Sequence, residues 1–183
     1  MTPARARDIL SSAELVCDAT QVDAAVSRLA AELNAALASD NPLVMVVMRG
    51  AVVFAGQLLP QLNFPLDVDS INATRYGDAT RGGESGFRAM PVSNEAGRLV
   101  LLVDDILDEG ITLHAIRDKL LSMGARKIMI AVMADKQTGK VKPIAADFTG
   151  VTLPDRYVFG FGMDVHGYWR NLPSIYAMKQ TQE

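Results

Sequence analysis

Four carboxylates fall within six positions, Asp104, Asp105, Asp108 and Glu109, with Gly110 and Thr112 directly after them. Acids this close repel one another unless cations or hydroxyl donors meet them. Gly110 can adopt a positive φ or let a ligand approach the backbone, and Thr112 can cap a helix beginning near Leu113. Several N–H groups of the turn can then converge on an anion. The chemistry divides accordingly, with hydroxyls and metal going to the acids and phosphate to the amides. The competing reading is a solvated acidic turn that Thr112 merely caps.

The elements around this stretch must bring it to a ligand. Residues 99–103 (Leu-Val-Leu-Leu-Val) are apolar without alternation and lie between Gly97 and Gly110, as suits a strand covered on both faces of a parallel sheet. Residues 43–48 form a second such run and lead into Arg49-Gly50 and a helix-like segment over 51–59. A cation and a flexible backbone thus sit at a strand's carboxyl end, where open parallel sheets bind ligands. Residues 66–73 alternate enough for a strand with one wetter face, and residues 128–133 form a further strand that leads to Lys136. Between residues 12 and 38 the spacing of Leu15, Val22, Val26, Leu29, Leu33 and Leu37 predicts one or two amphipathic helices. The expected architecture is α/β, a central and mostly parallel sheet flanked by helices in one domain over residues 1–183.

Residues 75–93 are rich in Gly and charge, lack helical periodicity and are too long for an ordinary connector, so they read as a lid or a hairpin. The segment 154–173 concentrates aromatic residues around a Gly-Phe-Gly that lacks the third glycine of a dinucleotide site. Taken as residues alone, its aromatics close a core and Asp164 caps a turn. Cys17 reads as a small core residue and His114 as structural.

Composition narrows the function. The chain has 183 residues, is 49% hydrophobic and carries a formal net charge of −3, with no run of Lys or Arg. That argues against a general nucleic-acid-binding face and for a small-molecule partner. One cysteine and two distant histidines give no disulfide and no zinc spacing. No apolar run approaches the ~18 residues of a membrane span, and residues 1–8 lack the apolar core of a secretory signal, so a cytoplasmic location is expected.

The run Val-Leu-Leu-Val-Asp-Asp-Ile-Leu-Asp-Glu-Gly-Ile-Thr-Leu over residues 100–113 resembles the 5-phosphoribosyl-1-diphosphate (PRPP) motif of type I phosphoribosyltransferases. Arg49-Gly50, Lys136 and the 154–173 segment extend the likeness, in order, to the hypoxanthine-guanine branch. The resemblance implies that branch's fold, with a small hood formed by terminal segments, here about residues 154–175, and a flexible lid over about 75–93. It implies purine salvage by phosphoribosyl transfer to a 6-oxopurine such as hypoxanthine or guanine, giving a purine mononucleotide and pyrophosphate, with Mg²⁺ as cofactor.

Residue by residue, the resemblance implies that PRPP is held by Asp104, Asp105, Asp108, Glu109, Gly110, Ile111, Thr112, Arg49, Gly50 and Arg170. In that likeness Asp108 acts as catalytic base, Arg75 and Tyr76 begin the lid that covers the reacting sugar, and Lys136, Tyr157, Val158 and Asp164 bind the purine. Asp164, Asp104 and Asp105 lie toward the metal. Glu109 departs from the family's usual Thr and Ile111 from its Lys or Arg; because a carboxylate cannot donate to phosphate, Glu109 is expected to point away. The resemblance also implies a homodimer or homotetramer. Two alternatives stay open: a xanthine-preferring enzyme, and a PRPP- or nucleotide-sensing regulator on the same fold.

Overall fold

In the computed structural model, which describes residues 1–73 and 86–179, the apolar runs become neighbouring strands of one sheet. In chain order the elements are α1 (Pro3–Ser12), β1 (Glu14–Cys17), α2 (Ala19–Leu37), β2 (Leu43–Val47), α3 (Val52–Leu58), β3 (Asp67–Ala73), β4 (Phe87–Ala89), β5 (Leu99–Leu107), α4 (Ile111–Ser122), β6 (Lys127–Gln137), β7 (Phe148–Pro154), β8 (Val158–Phe159) and β9 (Ile175–Ala177). The larger sheet has the order β4-β3-β2-β5-β6-β7, parallel throughout except for β4, which pairs antiparallel with β3. All of β2 and nearly all of β5 are buried, the reason neither run alternates.

The order of the strands decides where a ligand can go. From β2 the chain passes through α3 to β3 on one side; from β5 it passes through α4 to β6 on the other. Right-handed crossovers running in opposite directions put α3 and α4 on opposite faces and open a crevice between the carboxyl ends of β2 and β5. Arg49-Gly50 and the acidic stretch are what those two ends carry. α2, whose Val22, Val26, Leu29, Leu33 and Leu37 are buried, packs beside α3 and over β7, and a capping box between Asp18 and Gln21 starts it.

The second sheet is small and antiparallel, with the order β1-β9-β8. It joins the first strand of the chain to the last and sets the 157–170 segment over the crevice, as a hood of terminal segments requires. Arg156 ties it together, donating to Glu14 Oε2 at 2.6 Å and to the Met178 carbonyl at 3.0 Å. Phe159 stacks on Tyr176 with ring centroids 5.8 Å apart.

Three expectations need correction. Residues 12–38 are not helical throughout, since Glu14–Cys17 form a strand whose partner, β9, lies at the far end of the chain; a helical spacing that includes Leu15 cannot register so distant a pairing. Strand β5 does not stop at Val103 but runs through Asp104 and Asp105 to Leu107, paired with β6. Thr112 does not cap α4: the N-cap is Gly110, at φ 79°, and no side chain caps the helix.

Of the lid segment, Arg75 and Tyr76 lie outside the described residues. In its described part, Phe87–Ala89 adds the edge strand β4, and Asp69 accepts hydrogen bonds from the Val92 and Ser93 N–H groups at 2.7 and 2.6 Å. Burial alone would raise the pKa of Asp69, but the N–H donors of Ser93, Ser70 and Val92 outweigh it and hold the carboxyl below its usual value.

Candidate active site

Two cavities open at the carboxyl edge of the sheet. The first, about 360 Å³, is lined by Arg49, Gly50, Asp104, Asp105, Asp108, Glu109, Gly110, Ile111, Thr112, Asp164 and Arg170, with Val47, Met48, Ala73, Ile106, Leu107 and Leu113 beneath. The second, about 370 Å³, is lined by Lys136, Tyr157, Val158 and Met163 together with Asp105, Ile106, Asp108 and Asp164. The last four belong to both, so the cavities share a wall. Every site residue expected from the sequence and lying among the described residues lines one or both of them.

The first cavity is built on β5. Because Asp104 and Asp105 remain on a central strand, both are buried, at 8% and 9% exposure. The Asp105 N–H donates to Asp104 Oδ1 at 2.9 Å. Burial, then the neighbouring Asp105 charge, pushes the Asp104 carboxyl well up; burial also raises Asp105, against opposing pulls from its hydrogen bond with Asp104 and from the Arg170 charge. Two such acids resist joint ionisation until positive charge or hydroxyl donors arrive. Arg170 Nη1 stands 4.0 Å from Asp105 Oδ2.

At the floor, α4 begins from Gly110 without a side-chain cap, leaving its first N–H groups to face the cavity as donors to an anion. A Cβ on Gly110 would lie 3.1 Å from Ile144 Cγ2, so close packing as well as the positive φ calls for glycine there. Glu109 and Arg49 are exposed at the rim. Opposite, Gly50 packs directly on Asp105: a Cβ would come within 2.1 Å of Asp105 Oδ2.

The 157–170 segment closes the site from the hood. Its backbone carries three positive-φ residues other than glycine, Phe161 (49°), His166 (51°) and Trp169 (68°), a costly conformation that surrounding contacts must hold. The Trp169 Nε1–H donates to the Ala6 carbonyl of α1 at 2.7 Å. Arg170 donates to the Gly162 carbonyl at 2.6 Å and to the Asp164 carboxylate, while the Gly167 N–H donates to Asp164 Oδ2 at 2.6 Å. Asp164 therefore does cap a turn, and it orients Arg170 while facing both cavities. Gly162 completes the contact, since a Cβ on it would lie 2.2 Å from the Gly50 carbonyl.

On the base side, Lys136 lies within β6, which runs on past Met133 to Gln137, and its Nζ donates to Asp108 Oδ2 at 2.9 Å. Tyr157 is 50% exposed, with its hydroxyl donating to the Asp164 carbonyl at 3.3 Å, and Val158 is buried in β8. Met163, which the sequence did not single out, is buried at this cavity's wall; a methionine between two glycine-containing turns carries no periodic signal. Cys17 is buried with its thiol pushed up by burial and by Asp18, the state of an unreactive core thiol. His114 pairs with Asp118 on α4, Nδ1 to Oδ2 at 3.2 Å.

Comparison with known proteins gives consistent results. The family model described as "Phosphoribosyl transferase domain" matches residues 16–166. The chain is 31% identical over 161 residues to the hypoxanthine-guanine phosphoribosyltransferase of Streptococcus pneumoniae, covering 87% of this chain and 89% of that one. It is 32% identical over 157 residues to the hypoxanthine-guanine-xanthine phosphoribosyltransferase of Tritrichomonas foetus, covering 85% and 86%. Among solved structures, a hypoxanthine phosphoribosyltransferase from Staphylococcus aureus superposes with a TM-score of 0.82 at 27% identity, over 98% of each chain.

Proposed function

Because the chain belongs to the phosphoribosyltransferase family, we propose that it transfers the 5-phosphoribosyl group of PRPP to a 6-oxopurine, hypoxanthine or guanine, in purine salvage. The observation that carries this reading is the wall shared by the two cavities. A sugar-phosphate in the first and a purine in the second meet beside Asp108.

The uncapped N-terminus of α4 takes the 5-phosphate, and Asp104 and Asp105 accept hydrogen bonds from the ribose hydroxyls. Arg170, with Arg49 at the rim, meets the pyrophosphate. Tyr157 offers its half-exposed ring to the base and Lys136 its ammonium to the 6-oxo oxygen. As the purine enters, the Lys136–Asp108 pair parts to take its two edges, and Asp108 accepts the proton from N7. The bond from N9 to C1 forms while the bond from C1 to pyrophosphate oxygen breaks, its electron pair leaving with pyrophosphate. Holding both reactants at one edge and stabilising the charge on C1 by nearby carboxylates are the principal sources of rate. Glu109, with nothing to donate to phosphate, leaves that task to backbone amides and Thr112.

The donor set suits Mg²⁺. Among the described residues no cluster of three acidic, His or Cys side chains forms a protein-only cage, but Mg²⁺ characteristically keeps water and substrate oxygens and needs only one or two carboxylates. Asp104 and Asp105, buried acids short of positive charge, would hold it, with Asp164 nearby. When bound, it neutralises the departing pyrophosphate.

We also read the chain as one phosphoribosyltransferase domain acting in the cytoplasm as a homodimer or homotetramer. Light scattering tests the oligomeric state. The decisive experiment incubates the protein with PRPP, Mg²⁺ and hypoxanthine, guanine or xanthine in turn. Mononucleotide from hypoxanthine or guanine is the expected result. Saturable PRPP binding with no product from any base would overturn it in favour of a sensing regulator.

A further inference from the structure

The crossing from β6 to β7 is parallel but contains no helix, and it holds a lysine for which the reaction described above has no role. The Lys142 side chain is only 14% exposed. Its Nζ donates to the Leu107 carbonyl at 2.8 Å, to the Lys136 carbonyl at 2.6 Å and to the Asp135 carboxylate. An ammonium has three N–H donors, and all three are used.

The acceptors come from the ends of two adjacent strands. Leu107 immediately precedes Asp108 at the end of β5, and Lys136 lies at the end of β6. The residues that follow Lys142 press on the phosphate turn from outside: a Cβ on Gly110 would meet Ile144 Cγ2 at 3.1 Å and Pro143 Cδ at 3.5 Å. One short segment therefore braces the turn below Asp108 and the backbone of Lys136 together. Neutralising Asp135 needs only one of the three hydrogen bonds; the other two tie together the main chains of β5 and β6.

We propose that Lys142 is a positioning residue for purine recognition, pinning the ends of β5 and β6 so that Lys136 and Asp108, 2.9 Å apart before the base enters, are held where they can part to meet the 6-oxo and N7 edges of one base. The inference rests on the reading of the chain as a 6-oxopurine phosphoribosyltransferase. Long-range placement of this kind matters because a shift of about 1 Å at a reacting group can cost on the order of 100-fold in rate.

The test compares the whole protein with Lys142→Met, Asp135→Asn and the double variant, recording kcat, KM for hypoxanthine, KM for PRPP and Tm for each. Lys142→Met is expected to lose roughly 10- to 100-fold in kcat/KM for hypoxanthine, through a raised KM for the base and a lowered kcat, with the KM for PRPP little changed. It also leaves the Asp135 carboxylate unpaired, so its Tm falls. The double variant removes that charge; it is expected to recover Tm but not the kinetics, whereas Asp135→Asn alone keeps wild-type kinetics. Unaltered kinetics in Lys142→Met, or kinetic recovery in the double variant, would overturn the positioning role and reduce Lys142 to a charge partner of Asp135. Absence of product from the wild-type protein with every 6-oxopurine would overturn the reading of the reaction, and the role with it.

Discussion

The two halves of the site are made differently. The half proposed for the sugar-phosphate is built mainly on one unbroken stretch, β5, its turn and the start of α4, with Arg49-Gly50 against it and Asp164 and Arg170 reaching it from the hood. The half proposed for the base is assembled from Lys136 on β6, Val158 on β8, Tyr157 just before it and Met163 in a turn. The first half draws its character from local chain geometry, namely an uncapped helix N-terminus and two acids held on a buried strand. The second exists only once distant segments have docked. A change in the first should act on the chemistry itself, and a change in the second on which base is held.

Asp108 stands in the wall common to both halves, and its replacement should be the most damaging. Asp108→Asn is expected to slow PRPP-dependent conversion of hypoxanthine by about two to four orders of magnitude, the typical share of a general base. Near-normal turnover would remove Asp108 from the mechanism. Lys136→Met should act on the base half alone, raising the KM for hypoxanthine roughly 10- to 100-fold through loss of a charged hydrogen bond worth about 1.5–3 kcal/mol. The division between the halves fails if the KM for PRPP rises in parallel.

Gly162→Ala probes the seam. At φ 98° and with a Cβ 2.2 Å from the Gly50 carbonyl, alanine should cost about 1–3 kcal/mol of stability, seen as a lower Tm. Because the contact leads to Gly50 and Asp105, weaker binding of PRPP by calorimetry is expected as well. Loss of purine affinity alone would show that the hood serves only the base.

The smallest effect lies outside both halves. The carboxyl of Asp69 titrates below its usual value in the folded protein, so its contribution to stability is present above the unfolded-state pKa and is lost as pH falls through the folded one. Asp69→Asn should therefore cost about 1 kcal/mol at neutral pH, and the gap to wild type in urea titrations should close in acid. A gap independent of pH would mean that the Asp69 charge is not what holds Val92 and Ser93.

Much of the site was legible because its chemistry is local. Asp104 to Thr112 are consecutive, and Arg49-Gly50 and Lys136 each end an apolar run, so strand logic alone assigns them to the same edge. The errors arose where a partner is remote or a backbone torsion intervenes. Leu15 and Cys17 look helical until β9 pairs with β1, and Thr112 looks like a cap until Gly110 turns the chain at positive φ and takes that position itself. Met163 and Lys142 gave no signal, since one fills a turn and the other acts through carbonyl oxygens that every residue possesses.

The amino-acid sequence by itself determined the α/β class, the strand-end placement of the acids and the family, because buried parallel strands and an acid-glycine turn are written in consecutive residues. Only the tertiary structure decided that Asp104 and Asp105 are buried together, that Lys136 faces Asp108 across two strands, and that Gly162 and Gly50 bring hood and sheet into contact. Those are properties of packing between residues far apart in the chain, where burial and approach distance, rather than residue type, set the electrostatics.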